Sequence, residues 1–294
     1  MTPSLQLKTM LLKNPSIYID LTYLLLLLLS LCWLNNFLPL LASAEQFQQA
    51  MHSGRLYFFD FAKYYMCGQI MLSPDHVHPY DFQPTNQLLV LLTGRTLFSA
   101  GEQIDYAPES FLLMTPFAAL SPYYAFIVWA LLGVAGTIAG TYLLCAAGKR
   151  QHPVRDTFIF MLALFGSLPA LRAMEIGQIS FFIYAGIALL YWALLTRKDF
   201  LAGVLLAFVF VKPQYALFLL PFVIVTKRWK TLIAFTVCGV ILFTIAAAWM
   251  GLGTLLHYPG MLAYQEPRAV YTEAQRMVNF RGILAQFLPQ ATAY

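Results

Sequence analysis

From Tyr123 to Leu252 the sequence is a series of apolar stretches separated by short basic turns, "GKRQHPVR", "LTRKD" and "TKRWK". This alternation limits the fold more than any other feature. A membrane span needs about 20 predominantly apolar residues, and several of these stretches reach that length. Composition agrees: the chain is 60% hydrophobic and 11% charged, whereas a soluble domain carries about 25% charged residues. The expected fold class is all-α, a polytopic helical membrane protein with about seven membrane helices. The net charge of +5 sits in clusters between apolar stretches, as orientation signals do, and is not a nucleic-acid signature.

The first apolar stretch runs from Ile17 to Leu41, behind Lys8 and Lys13. "LASAEQ" after it offers Ala42 and Ala44 in an A-x-A cleavage pattern. The stretch exceeds the apolar region of a signal peptide, about 7–15 residues, so an uncleaved anchor is expected. Further stretches are Tyr123–Ala147, Thr157–Leu171, Ile179–Thr196, Phe200–Thr226 and Leu232–Leu252. The positive-inside rule places Lys149/Arg150/Arg155, Arg197/Lys198 and Lys227/Arg228/Lys230 in the cytoplasm with the N-terminus.

Residues 199–226 conflict with that rule as a single crossing, because both flanks are basic. "VKPQ" interrupts them, and Pro213 disfavours helix at Lys212. A hairpin of two short helices, 200–211 and 214–226, resolves the conflict. Each is roughly 18 Å long, short of the bilayer core of about 30 Å. The break then lies at membrane depth, tolerated only within protein or beside a water-filled cavity. A cavity open to the outer face is expected, with Lys212 at its floor. The alternative is one long tilted helix with Lys212 snorkelling to the interface.

This topology leaves residues 42–122 as one external loop and 253–294 as an external C-terminal segment, within a single transmembrane domain of residues 1–294. "YFFDFAKYYMCGQIML" and "TNQLLVLLTGRTLF" have the mixed aromatic and polar character of interfacial helices. "RAMEIGQ" links two spans on the same face. The outer face thus gathers Asp60, Lys63, Arg172, Glu175, Gln178, Lys212, His257, Tyr258 and Asn279. Cations beside a carboxylate suit gripping a phosphate while a base deprotonates a hydroxyl. Structural roles compete: Asp60 as a cap or a partner of Lys63, Arg172 as an interfacial anchor, Gln178 as a backbone partner at a helix start. Cys32, Cys67, Cys145 and Cys238 are scattered and form no disulfide or zinc spacing. His76 and His78 in "PDHVHPYD" lack helical metal-ligand spacing, and no nucleotide-binding or hydrolase motif appears.

The residues that carry a resemblance are Gly177/Gln178 before a span, Ala202/Gly203 opening a helix, then Lys212/Pro213 and Arg228/Trp229, in that order. "DFAKYY", "YAPESFLLMTP" and "VNFRGIL" add to them. The chain resembles the polyprenol-phosphate-mannose-dependent α-1,2-mannosyltransferases of glycosyltransferase family 87, with the C-type (GT-C) membrane fold. The resemblance implies a hexosyltransferase of a bacterial inner membrane, working on its outer face with inversion of configuration. It implies Asp60 as general base, made more basic by Phe58, Phe59, Tyr64 and Tyr65. Lys212, with Arg172, would stabilise the donor phosphate, and Tyr64, Gln178, Asn279 and His257 would meet the sugar or acceptor. Partners are a polyprenyl-phosphate-sugar, a glycan or glycolipid acceptor and the bilayer; no metal or other cofactor is required. Family members are expected to continue past "NFRG" for roughly a hundred residues of further spans of about 20 residues each. A lipid-linked-sugar transporter or flippase and a non-catalytic membrane scaffold are the other function classes open.

Overall fold

A computed structural model describes residues 15–53, 57–73, 80, 82–94 and 106–260. Among these residues every regular element is helical. In chain order they are α1 (Pro15–Phe37), a 3-10 turn (Leu38–Leu41), α2 (Ala44–His52), α3 (Phe59–Leu72), α4 (Phe82–Thr93) and α5 (Pro108–Ala118). Then come α6 (Pro122–Ala147), α7 (Pro153–Phe165), α8 (Leu168–Ile176), α9 (Ser180–Leu195), α10 (Asp199–Val209), α11 (Pro213–Val225) and α12 (Trp229–Met250). Residues 252–260 are helical too. Proline opens α5, α6, α7 and α11, where its missing N–H costs nothing and its fixed φ suits the first turn.

Among the described residues three helical segments are long and apolar enough to cross a membrane: Thr22–Leu41, Pro122–Ala147 and Trp229–Met250. A fourth is the pair α7–α8, bent by 73°. The bend falls at Gly166 and Ser167, where the Ser167 hydroxyl accepts from the Ala170 N–H and restarts the helix. "RAMEIGQ" is therefore helical through Ile176 and not an open link. By length and apolarity the spans among the described residues number three or four, against about seven expected from the sequence, because α9, α10 and α11 are apolar but shorter than the roughly 20 residues of a full span.

The expected hairpin is present. Arg228, just past α11, pairs with Asp199 at the start of α10 (2.9 Å) and donates to the Leu194 carbonyl (3.2 Å). A single straight helix over these residues would separate Arg228 from Asp199 by about 40 Å, so the snorkelling alternative is excluded. The chain reverses at Phe210–Lys212. Gly203 of α10 lets α12 approach closely: a Cβ there would strike the Thr231 carbonyl and the Ala234 side chain.

These contacts sort the molecule into two ends. The C-termini of α6, α9 and α11 form the basic end. At the opposite end lie the start of α9, the α10–α11 break and the end of α12, where the Trp249 indole N–H donates to the Met71 carbonyl of α3 (3.0 Å). α3 was expected to lie on the membrane surface, but it is packed on nearly all sides. Phe61, Ala62, Tyr64, Tyr65, Met66, Cys67 and Gly68 are all buried. Gly68 meets the Met114 carbonyl of α5 so closely that no Cβ fits. The Gln69 amide donates to the Ala118 carbonyl (2.7 Å) and the Tyr65 hydroxyl to the Leu120 carbonyl (2.7 Å).

Candidate functional site

The site is built around the first turn of α3, which carries Asp60. Phe58 precedes that turn in a left-handed conformation (φ 56°, ψ 16°), costly for a bulky residue. Two features hold it there. Its N–H donates to the Glu175 carbonyl at the end of α8 (2.8 Å). Its ring is fully buried between Phe47 (4.4 Å between centroids) and Phe126 (4.6 Å). On the α8 side, Gly177 ends the helix at φ +71°, and a Cβ there would lie 2.5 Å from the Phe61 Cβ. Glycine is needed twice at this position, for its backbone angle and for its lack of bulk. This joint fixes the half-buried Asp60 beside the α8–α9 corner.

One turn after Asp60, on the same helix face, Tyr64 stacks on Tyr106 with centroids 4.0 Å apart and rings 12° from parallel. The Lys212 ammonium lies over the far Tyr106 ring, 5.8 Å from its centroid, within reach of a cation–π attraction. Lys212 caps α11 at the hairpin break and is half-buried. The fold thus joins α3 to Lys212 through two tyrosines. Beside this stack lies a cavity of about 80 Å³ lined by Tyr64, Ser110, Phe117, Trp129, Phe182 and Val211, among others. This is not the expected cavity with Lys212 at its floor: its wall is apolar and Lys212 does not line it.

The remaining predicted residues scatter. Arg172 forms an exposed ion pair with Glu175 (2.7 Å), so its charge is already partly offset. Gln178 donates its backbone N–H to the Ala173 carbonyl, closing α8 (2.8 Å), and its side-chain oxygen accepts from the Ser180 hydroxyl (2.9 Å). His257 is exposed, and its neighbour Tyr258 turns inward against Tyr80, with centroids 5.4 Å apart. Lys63 lies over the Phe59 ring, 5.1 Å from its centroid. Asn279, with the whole "VNFRGIL" stretch, and His76 and His78 lie outside the described residues.

Sequence reasoning missed Glu109. It sits in the first turn of α5, next to Tyr106, with one carboxyl oxygen buried and without a hydrogen-bond partner among the described residues. Burial pushes its pKa above the usual carboxylate range, against a smaller opposing pull from its own backbone N–H. The Tyr80 hydroxyl donates to the Tyr106 carbonyl (3.1 Å), and its pKa is raised by burial first, then by Tyr258, Cys67 and Glu109. Glu109 thus borders the same aromatic cluster. The signal available was a carboxylate immediately after the Tyr-Ala-Pro turn, ahead of an apolar run.

Fold and site define an all-α integral membrane protein in which the helix bearing Asp60 meets Lys212, the cation of a broken hairpin, through Tyr64 and Tyr106. The chain belongs to glycosyltransferase family 87: the family's model matches residues 105–292. It is a membrane glycosyltransferase, with a sugar donor and an acceptor as substrates. The matched residues include Arg172, Gln178, Lys212, His257 and Asn279, while Asp60 and Tyr64 precede them. None of the curated proteins and none of the solved structures matches the chain.

Proposed function

We propose that the protein moves a hexose, mannose, from a polyprenyl-phosphate donor to an acceptor hydroxyl on a glycan or glycolipid, with inversion. In this reading it lies in a bacterial inner membrane with its N-terminus in the cytoplasm and its site on the outer face. Asp60 accepts the proton of the acceptor hydroxyl as that oxygen attacks the anomeric carbon. The bond to the lipid phosphate breaks on the opposite face of the sugar, and the lipid phosphate leaves with the bonding pair. Lys212 stabilises the charge that develops there. Tyr64 and Tyr106, stacked between them, give the sugar an apolar wall.

The observation that carries this reading is the Tyr64–Tyr106–Lys212 stack, which ties the helix bearing Asp60 to the cation at the hairpin break. The test is sugar transfer from defined polyprenyl-phosphate donors in membranes. Asp60→Asn should lower the rate by about 10²–10⁴-fold, the usual contribution of a general base, with folding intact. Lys212→Met should weaken donor use while leaving acceptor affinity unchanged. Full transfer by Asp60→Asn would remove Asp60 from the mechanism.

A further inference from the structure

We propose that a cavity at the basic end, between α6, α9 and α11, holds one acyl chain of an anionic phospholipid, whose phosphate is gripped by Lys149, Arg197 and Lys227. The cavity measures about 420 Å³ and is lined by Leu144 of α6, Ile187, Leu190 and Leu194 of α9, and Leu219 and Val223 of α11, among others. That volume falls within the range of small-molecule pockets, about 300–1,000 Å³. Its wall is apolar. The Tyr184 hydroxyl on it is already hydrogen-bonded to Thr141 (2.9 Å). At the rim Phe218 is 84% exposed and Tyr191 47%, so the cavity opens sideways, where lipid chains lie.

The three lining helices end alike. Each closes in a Schellman pattern: Lys149 and Arg150 donate to Ala146 and Cys145, Arg197 and Lys198 to Leu194 and Ala193, and Lys227 and Arg228 to Ile224 and Val223. The residue turned into the left-handed region is usually glycine. Here it is Lys149 (φ 54°), Arg197 (φ 61°) or Lys227 (φ 55°). Counting along the helices, these cations follow the lining residues Leu144, Leu194 and Val223 by roughly 5–8 Å of axial rise. The Arg228–Leu194 contact brings two of the ends together. All three cations are exposed and, among the described residues, none is in an ion pair, whereas Arg228 is matched by Asp199, and Arg150 and Arg155 by Asp156. Orientation signals explain why basic residues gather at one end. They do not explain an acyl-sized cavity beneath them. Basic pockets between membrane helices are suited to anionic headgroups. Lys212 is roughly 20 Å away along α11, so this site is separate from the one proposed for sugar transfer and does not depend on that reading.

The test is native mass spectrometry of the full chain released from nanodiscs containing phosphatidylcholine with or without phosphatidylglycerol. One phosphatidylglycerol should remain bound, in at least tenfold preference to phosphatidylcholine. Replacing Lys149, Arg197 and Lys227 together by Gln should weaken its retention about a hundredfold, at about fivefold per cation. Leu219→Trp, at a half-exposed wall position, should expel the lipid while leaving the cations in place. Equal retention of the two lipids would overturn the proposal, as would undiminished phosphatidylglycerol in both variants. Displacement of phosphatidylglycerol by added polyprenyl phosphate would assign the cavity to the donor and overturn it too.

Discussion

α3, which carries no span signal, is the most enclosed helix, while the helices with the strongest signal are highly exposed. In the apolar windows of Thr22–Leu41 and Trp229–Met250 only 11% and 17% of residues are buried. In α3, ten of its 14 residues are buried, and Phe61, Ala62 and Cys67 are fully enclosed. In water, apolarity marks the core. In a bilayer it marks the lipid-facing surface, and the core is recognised by aromatic, small and polar residues mixed together. α3 has that mixture, with glycine at the α5 contact and side-chain amides and hydroxyls reaching backbone carbonyls.

The sharpest way to break this contrast is to truncate one residue on each side of it. Phe61 is fully buried and meets Phe126 edge-on, with centroids 5.1 Å apart. Phe61→Ala should cost about 3–5 kcal/mol, as for other buried aromatics, read as a lowered Tm in detergent. Leu25, 57% exposed on α1, should lose about 0.5 kcal/mol or less as Leu25→Ala. Equal losses would mean that α1 is covered by protein. Next in size is Gly177→Ala. It forces a Cβ against Phe61 and a left-handed backbone on alanine, costing about 1–2 kcal/mol for the backbone alone and more for the clash. Transfer activity should fall with stability, because the same joint sets Asp60. Loss of activity at unchanged Tm would show that the joint positions Asp60 without supporting the core.

The sequence made the all-helical class and the hairpin legible, the latter because two basic flanks and one Lys-Pro pair cannot be reconciled with one crossing. Asp60 and Lys212 were legible for the same reason: an ionisable group in an apolar stretch stands out. Three things were not. The burial of α3 depends on contacts with α5, α6 and α8, far apart in sequence. The 73° bend between α7 and α8 rests on a Gly-Ser pair that periodicity does not register. Glu109 was hidden because its significance lies in its surroundings: a neighbouring Tyr106, and an oxygen left without a partner among the described residues when α5 packs against α3.

Glu109 offers the mildest test of the contrast, since it asks whether α3's surroundings are as dry as their packing implies. Its pKa is raised by burial, so the folded protein binds this proton more tightly than the unfolded chain does. Its contribution is then fully present below the ordinary carboxyl range. It is lost as pH rises from that range through the raised value, because the unfolded chain gives up the proton first. Glu109→Gln keeps the shape and the neutral state at every pH. The variant should therefore match the wild type in acid and become the more stable of the two toward neutral pH, measured as Tm in detergent between pH 4 and 8. Parallel curves for the two proteins would mean that water reaches the carboxyl and that the α3–α5 contact is looser than its packing indicates.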